Sequence, residues 1–171
     1  IDIETDGPIP GANSMLSLGA VAFDAATGKE LGEFYRKLHT LPGADQSSST
    51  MQWWATQLEA WTEATRDPQP PFDVMREYTN WLLAWEHPIM LAATCGFDFT
   101  FVRWYLVTYI GEDRRWLNCI DLRSAMMETR GKYSGNFKKQ FKVNARHTHK
   151  AVDDAREQGQ IYFAWALREK K

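Results

Sequence analysis

Cysteine is scarce in this chain. Cys95 and Cys119 are the only two among 171 residues, so a disulfide-dense scaffold is excluded, and a zinc site built on the two Cys lacks partners. Each thiol ends or interrupts an apolar stretch and reads as a small buried hydrophobe, with a single disulfide as the alternative. This usage suits a reducing compartment, and a cytoplasmic location is expected. Long apolar runs are missing too. The longest uncharged one covers 88–97, about half of the ~20 residues a membrane-spanning helix requires. No succession of basic, apolar and small-residue segments marks a signal peptide. The chain opens at Ile1 and not at Met, so its true start is expected upstream. There is no internal repeat and no low-complexity tract.

Net charge is also small, −2 at pH 7, which taken alone does not suggest a nucleic-acid binder. The distribution of charge does. No acid occurs from Thr129 to Val152, while Arg130, Lys132, Lys138, Lys139, Lys142, Arg146 and Lys150 supply seven bases. A one-signed block is a candidate phosphate footprint; a solvated loop and helix face is the competing reading.

What the chain has in quantity is apolar and aromatic side chains. They include eight Trp, nine Phe and six Tyr within a 44% apolar composition, enough for a packed core in one domain spanning 1–171. Residues 16–23 read as a buried strand, 24–29 as a turn and 30–38 as its antiparallel partner. Residues 41–50 form a loop, and 51–64 a helix with Trp54, Leu58 and Trp61 at helical spacing. A Pro-rich break precedes a second amphipathic helix at 72–85. Then come a strand at 89–94, a helix at about 99–110, a short strand at 116–120 and a helix at 122–129. A last helix covers 151–168. This order predicts an α/β fold, with a mixed sheet of antiparallel hairpin strands and parallel strands flanked by helices.

Four carboxylates stand out against that frame. Asp2 and Glu4 alternate at the chain start, so a strand would send both to one face. Side by side they raise each other's pKa unless a cation lies between them, which favours a divalent-metal site of oxygen ligands. A strand end dissolving into the turn Thr5-Asp6-Gly7-Pro8 is the alternative. Asp98, between Phe97 and Phe99, stands where a strand hands over to a helix; it is either a functional acid or an ordinary N-cap. In His149-Lys150-Ala151-Val152-Asp153-Asp154-Ala155, helical period separates the two acids. Asp153 falls on a stripe with Glu157 and Gln160 that is expected to face water, and Asp154 on the side of Gln158, Ile161 and Trp165, toward the sheet. A tucked carboxylate needs a partner, so Asp154 is the better ligand candidate. His149 could reach a metal-bound water or could be a solvated residue of the basic run, as His147 is.

Asp-x-Glu, then Phe-Asp-Phe, then His-x-Ala-x-x-Asp-Ala, in that order from Asp2 to Asp154, resembles the DEDDh group of 3'-5' exonucleases. The related DEDDy group has Tyr four residues before the last Asp, where this chain has Lys150. The short chain, early hairpin and Trp53-Trp54 helix are most similar to the small bacterial and phage exoribonuclease branch. The resemblance implies a ribonuclease H-like fold, with Asp2, Glu4, Asp98 and Asp154 as metal-binding acids and His149 as general base. It also implies two Mg²⁺ or Mn²⁺ ions per site and a nucleic-acid substrate, RNA favoured and single-stranded DNA the alternative. Nucleoside 5'-monophosphates would be released, and the chain could form a homodimer. Thr5 would lie near the terminal nucleotide. The basic segment runs into His149, so Lys138, Lys142 and Arg146 become candidates for gripping upstream phosphates. A catalytically silent nucleic-acid or nucleotide-binding module on the same fold is the competing function.

Overall fold

In the computed structural model, which describes residues 1–112, 118–130 (backbone alone for 128–130), 139, 141, 143 and 148–168, the apolar segment Met15–Phe23 forms the central strand β2. It pairs antiparallel with β1 (Asp2–Thr5) on one side and β3 (Glu30–Lys37) on the other. The β2–β3 turn is closed by Asp24, whose carboxylate accepts from the backbone N–H of Ala26 and Thr27. Two short strands, β4 (Met90–Ala92) and β5 (Cys119–Asp121), pair parallel. The expected mixture of antiparallel and parallel strands is therefore present, in two hydrogen-bonded groups. They meet where the backbone nitrogen of Ile1 donates to the Leu91 carbonyl at 2.7 Å.

The helices are α1 (Ser48–Trp54), α2 (Leu58–Thr65), α3 (Pro71–Leu83), α4 (Cys95–Tyr109), α5 (Leu122–Arg130) and α6 (Ala151–Ala166). Two differ from expectation. The helix expected over 51–64 is two helices, α1 ending at Trp54 and α2 starting at Leu58; the Trp54 indole N–H is anchored on the Thr5 carbonyl at 2.9 Å. Gln57 then sits outside the helical region at φ −128°. The helix expected from Phe99 begins at Cys95, because the Asp121 carboxylate takes the Cys95 N–H at 2.9 Å and so supplies the cap the local sequence lacks. Asp98 is thus not an N-cap; it is the fourth residue of α4. Trp116 and Leu117 of the expected fifth strand lie outside the described residues.

The sheet has two unlike faces. Ile3, Leu18, Ala20 and Phe34 point into the main apolar core with Val74, Met75, Tyr78, Phe101 and Tyr105 from α3 and α4. On the other face, register aligns Asp2, Gly19 and Tyr35 in one row and Glu4, Ser17 and Lys37 in the next. α6 crosses this second face. A Cβ on Gly19 would lie 2.2 Å from the Val152 nitrogen, and one on Gly159 would lie 2.2 Å from the Phe23 ring, so two glycines let helix and sheet meet backbone to surface. Arg156 fastens the same helix to β3 through Glu30 at 3.1 Å and through Glu33.

Glu157 of α6, placed on a water-facing stripe with Asp153 and Gln160, is buried. The helix is wedged between the sheet face and a second apolar cluster that joins Leu122 and Met126 to Ile161, Tyr162 and Trp165, so little of its circumference is left to solvent. Cys95 and Cys119 are free and half-buried, and burial pushes the Cys119 thiol up. Among the described residues, no helix is long and apolar enough to cross a membrane.

Candidate active site

β1 sets the frame. Period-two alternation drives Ile3 into the core and leaves Asp2 and Glu4 on the opposite face, under the start of α6. The free edge of β1 supplies the third acid. Past the end of β4, the Ile3 N–H has no strand carbonyl to meet, and Asp98 Oδ1 takes it at 3.2 Å. Asp98 is buried in the first turn of α4, where the helix N-terminus favours a negative charge.

The fourth acid comes from α6. Asp154 is the fourth residue of its helix, as Asp98 is of α4. It reaches back over the helix start, so that Oδ1 accepts from the Thr148 N–H and Oδ2 from the His149 N–H, both at 3.0 Å. Each oxygen keeps a second lone pair for another partner. Asp153 faces the other way and pairs with Arg156 at 3.1 Å. The division between these adjacent acids is the one helical period predicts.

His149 is held by its backbone and by its ring. Its backbone is left-handed at φ 54°, a conformation that costs a non-glycine residue energy and needs surrounding support. Its N–H is tied to Asp154, and its ring meets the edge of Trp53 with centroids 5.0 Å apart and planes at 85°. One ligand atom each from Glu4, His149 and Asp154 lies within 4.8 Å of the other two.

Asp2 has a partner from outside this set. Gln158 Nε2 donates to Asp2 Oδ1 at 2.8 Å, while its Oε1 accepts from the Ala93 N–H at 2.7 Å. Helical period places Gln158 on Asp154's side, but nothing local signals the bond to Asp2. Asp121, which holds the starts of both α4 and α5 through Cys95 and Ser124, is a further site-shaping acid without a sequence signal.

The electrostatics follow from crowding. Glu4 is pushed up to about 9, by burial first and then by Asp154 and Asp98. Asp98 is pushed up to about 6 by burial. Asp2 is raised well above the ordinary carboxylate range, by burial and then by Asp98, Glu4 and Asp154. Carboxylates this close are held ionised together only by a cation, and hard oxygen donors with one imidazole suit a divalent ion.

A cleft of about 220 Å³ opens beside Glu4. Thr5, Pro8, Thr50, Trp53 and Phe97 are among its walls. The adjacent tryptophans divide the work. Trp54 is buried as the anchor of α1, and Trp53, 40% exposed, faces the cleft and His149. Lys138, Lys142 and Arg146, the candidate phosphate-gripping bases, lie outside the described residues. Lys150 is described, with its ammonium 5.3 Å from the centre of the Tyr35 ring.

Comparison with known proteins places this geometry in a family. The chain is 27% identical over 172 residues to the 3'-5' DNA exonuclease Cap18 of Escherichia coli, covering 95% of this chain and 87% of that protein. It is 22% identical over 173 residues to the PolC-type DNA polymerase III of Thermotoga petrophila, of which the chain spans only 12%. Among solved structures, cell-death related nuclease 4 (CRN-4) superimposes with a TM-score of 0.69 at 10% identity. That match covers 98% of this chain and 62% of the nuclease, and it shows the shared fold. The model of the 3'-5' exoribonuclease Rv2179c-like domain matches residues 1–165, and the chain belongs to that family of 3'-5' exonucleases.

Proposed function

We propose that this chain removes nucleotides from the 3' end of a nucleic-acid strand by hydrolysis, releasing nucleoside 5'-monophosphates, with RNA preferred over single-stranded DNA. The observation that carries the reading is the convergence of Glu4, His149 and Asp154 ligand atoms within 4.8 Å beside an open cleft. Asp2 and Asp98 are tied to the same strand end. The preference for RNA is supported by the description of the family, whereas the relative from E. coli is named a DNA exonuclease.

Asp2, Glu4, Asp98 and Asp154 would hold the metal, Mg²⁺ or Mn²⁺ and two ions per site. When bound, these would activate the attacking water and stabilise charge on the scissile phosphate and the departing 3' oxygen. His149 takes the proton of the attacking water. General base catalysis by a positioned histidine supplies about 10²–10⁴ in rate. Asp154 orients that histidine through its backbone N–H as well as serving the acid cluster. Trp53 and Phe97 give the cleft two aromatic walls against which a terminal base can stack.

The test is direct. 5'-labelled RNA and DNA strands of one sequence are incubated with Mg²⁺ or Mn²⁺, and again with EDTA. A metal-dependent ladder receding from the 3' end, faster on RNA, is expected. No shortening of either strand would overturn the reading, and faster loss of DNA would reverse the sugar preference alone.

A further inference from the structure

We infer that Gln158 is a positioning residue for the metal-binding carboxylate of Asp2, an inference that rests on the exonuclease reading of the acids. Gln158 projects from α6 one turn beyond Asp154, so both side chains leave the same face of the helix. It is buried, and its amide is used at both ends. Oε1 accepts from the Ala93 N–H at 2.7 Å, and Nε2 donates to Asp2 Oδ1 at 2.8 Å.

The chemistry allows only one orientation of that amide. A backbone N–H can meet only the carbonyl oxygen, so the NH₂ group must face the carboxylate. One neutral side chain thereby joins α6, the end of β4 and β1. It also orients the Asp2 carboxylate by engaging Oδ1. Glu would meet Asp2 with a second carboxylate, Lys would offer no acceptor to Ala93, and Leu or Met would leave both groups unmade. Partners behind a metal ligand orient it and tune its basicity, and their loss typically costs about 10–100-fold in metal affinity or activity. Gln158 does this for Asp2 without adding charge to a crowded acid cluster.

The test uses Gln158→Met, which conserves volume and removes both hydrogen bonds, and Gln158→Glu, which keeps the acceptor for Ala93 and loses the donor to Asp2. Mn²⁺ alone is titrated calorimetrically into wild type and variants. The kcat and KM for a labelled RNA strand and the melting temperature in EDTA are measured alongside. Gln158→Met is expected to bind Mn²⁺ at least tenfold more weakly, with kcat reduced about 10–100-fold and KM within twofold. Mn²⁺ affinity and kcat both within twofold of wild type overturn the assignment. Should Gln158→Met fail to fold, Gln158→Glu decides, because it retains the Ala93 link; there, a kcat within twofold of wild type overturns it. A wild-type chain that binds Mn²⁺ yet degrades no nucleic acid overturns the exonuclease reading alone, and the variants' Mn²⁺ titrations still decide for Gln158. A wild-type chain that binds no Mn²⁺ overturns both.

Discussion

Gly19 and Ala151 touch backbone to face: a Cβ built on Gly19 would fall 2.2 Å from the Ala151 carbonyl carbon and 2.4 Å from its oxygen. Gly19 is also the cross-strand partner of Asp2. The glycine therefore sets how closely the helix carrying Asp154 and Gln158 approaches the strand carrying Asp2 and Glu4.

Gly19→Ala is accordingly expected to lift the start of α6 off the sheet, since the obstruction is backbone and cannot rotate away. Overpacking of this kind costs about 1–3 kcal/mol, and a misplacement of about 1 Å costs on the order of 10²-fold in rate. Thermal melts and nuclease assays on the same preparation would show a lowered melting temperature with a disproportionate loss of kcat. Full activity would mean that helix and sheet separate without disturbing the acids.

The two adjacent acids of α6 make opposite predictions. Asp154→Ala removes a carboxylate that faces the cluster and the acceptor for both the Thr148 and His149 N–H groups, so degradation should fall to background. Asp153→Ala removes one of three carboxylate partners of Arg156 and should leave activity within about threefold, since a solvent-accessible ion pair contributes about 0–1 kcal/mol. If the two phenotypes were exchanged, the ligand assignment would pass to Asp153.

Raised carboxyl pKa values make stability depend on pH in a defined direction. Glu4 in the folded chain is pushed up to about 9, from an ordinary value of 4.5. The folded state then holds a proton that the unfolded state has released, so ∂ΔG/∂pH is negative between those values. The contribution is fully present below the unfolded pKa and lost as pH rises through the folded one. In EDTA, the melting temperature should fall from pH 5 to pH 9. Mn²⁺ should reverse the fall, because an ion that binds only the folded chain stabilises it. Glu4→Gln should melt higher than wild type at pH 8 in EDTA and be inactive. A melting temperature that rises with pH in EDTA would contradict this account of the cluster.

Trp53 lies between the cleft and the His149 ring, with its ring edge also against Trp54. Base–aromatic stacking is worth about 1–3 kcal/mol per base, so Trp53→Ala should weaken nucleoside 5'-monophosphate binding about 5- to 150-fold. Wild-type tryptophan fluorescence should change on titration with the same mononucleotide. Unaltered affinity in the variant would place the base elsewhere. His149→Ala, by contrast, should lower kcat about 10²–10⁴-fold with mononucleotide affinity largely kept.

The parts of the site readable from the string were those governed by a local period. Alternation in β1 put Asp2 and Glu4 on one face, and helical spacing separated Asp154 from Asp153. The features that escaped depend on partners far along the chain. α4 begins four residues early because Asp121 caps it. The helix expected over 51–64 is interrupted at Gln57, while Trp54 at the end of α1 is anchored on Thr5, 49 residues away. Glu157 is buried because α6 is covered on more than one side.

Alone, then, the sequence determined most of the order of strands and helices, the shared face of Asp2 and Glu4, the division between Asp153 and Asp154, and the family resemblance carried by Asp2, Glu4, Asp98, His149 and Asp154. These follow from dihedral geometry within a few residues. The tertiary structure decided how those elements are brought within ligand distance: the bare surface at Gly19, the amide of Gln158 between β1 and β4, and the Trp53 edge against His149. Such contacts join residues as many as 156 positions apart, and a string holds no local signal for an approach that exists only once helix and sheet have packed.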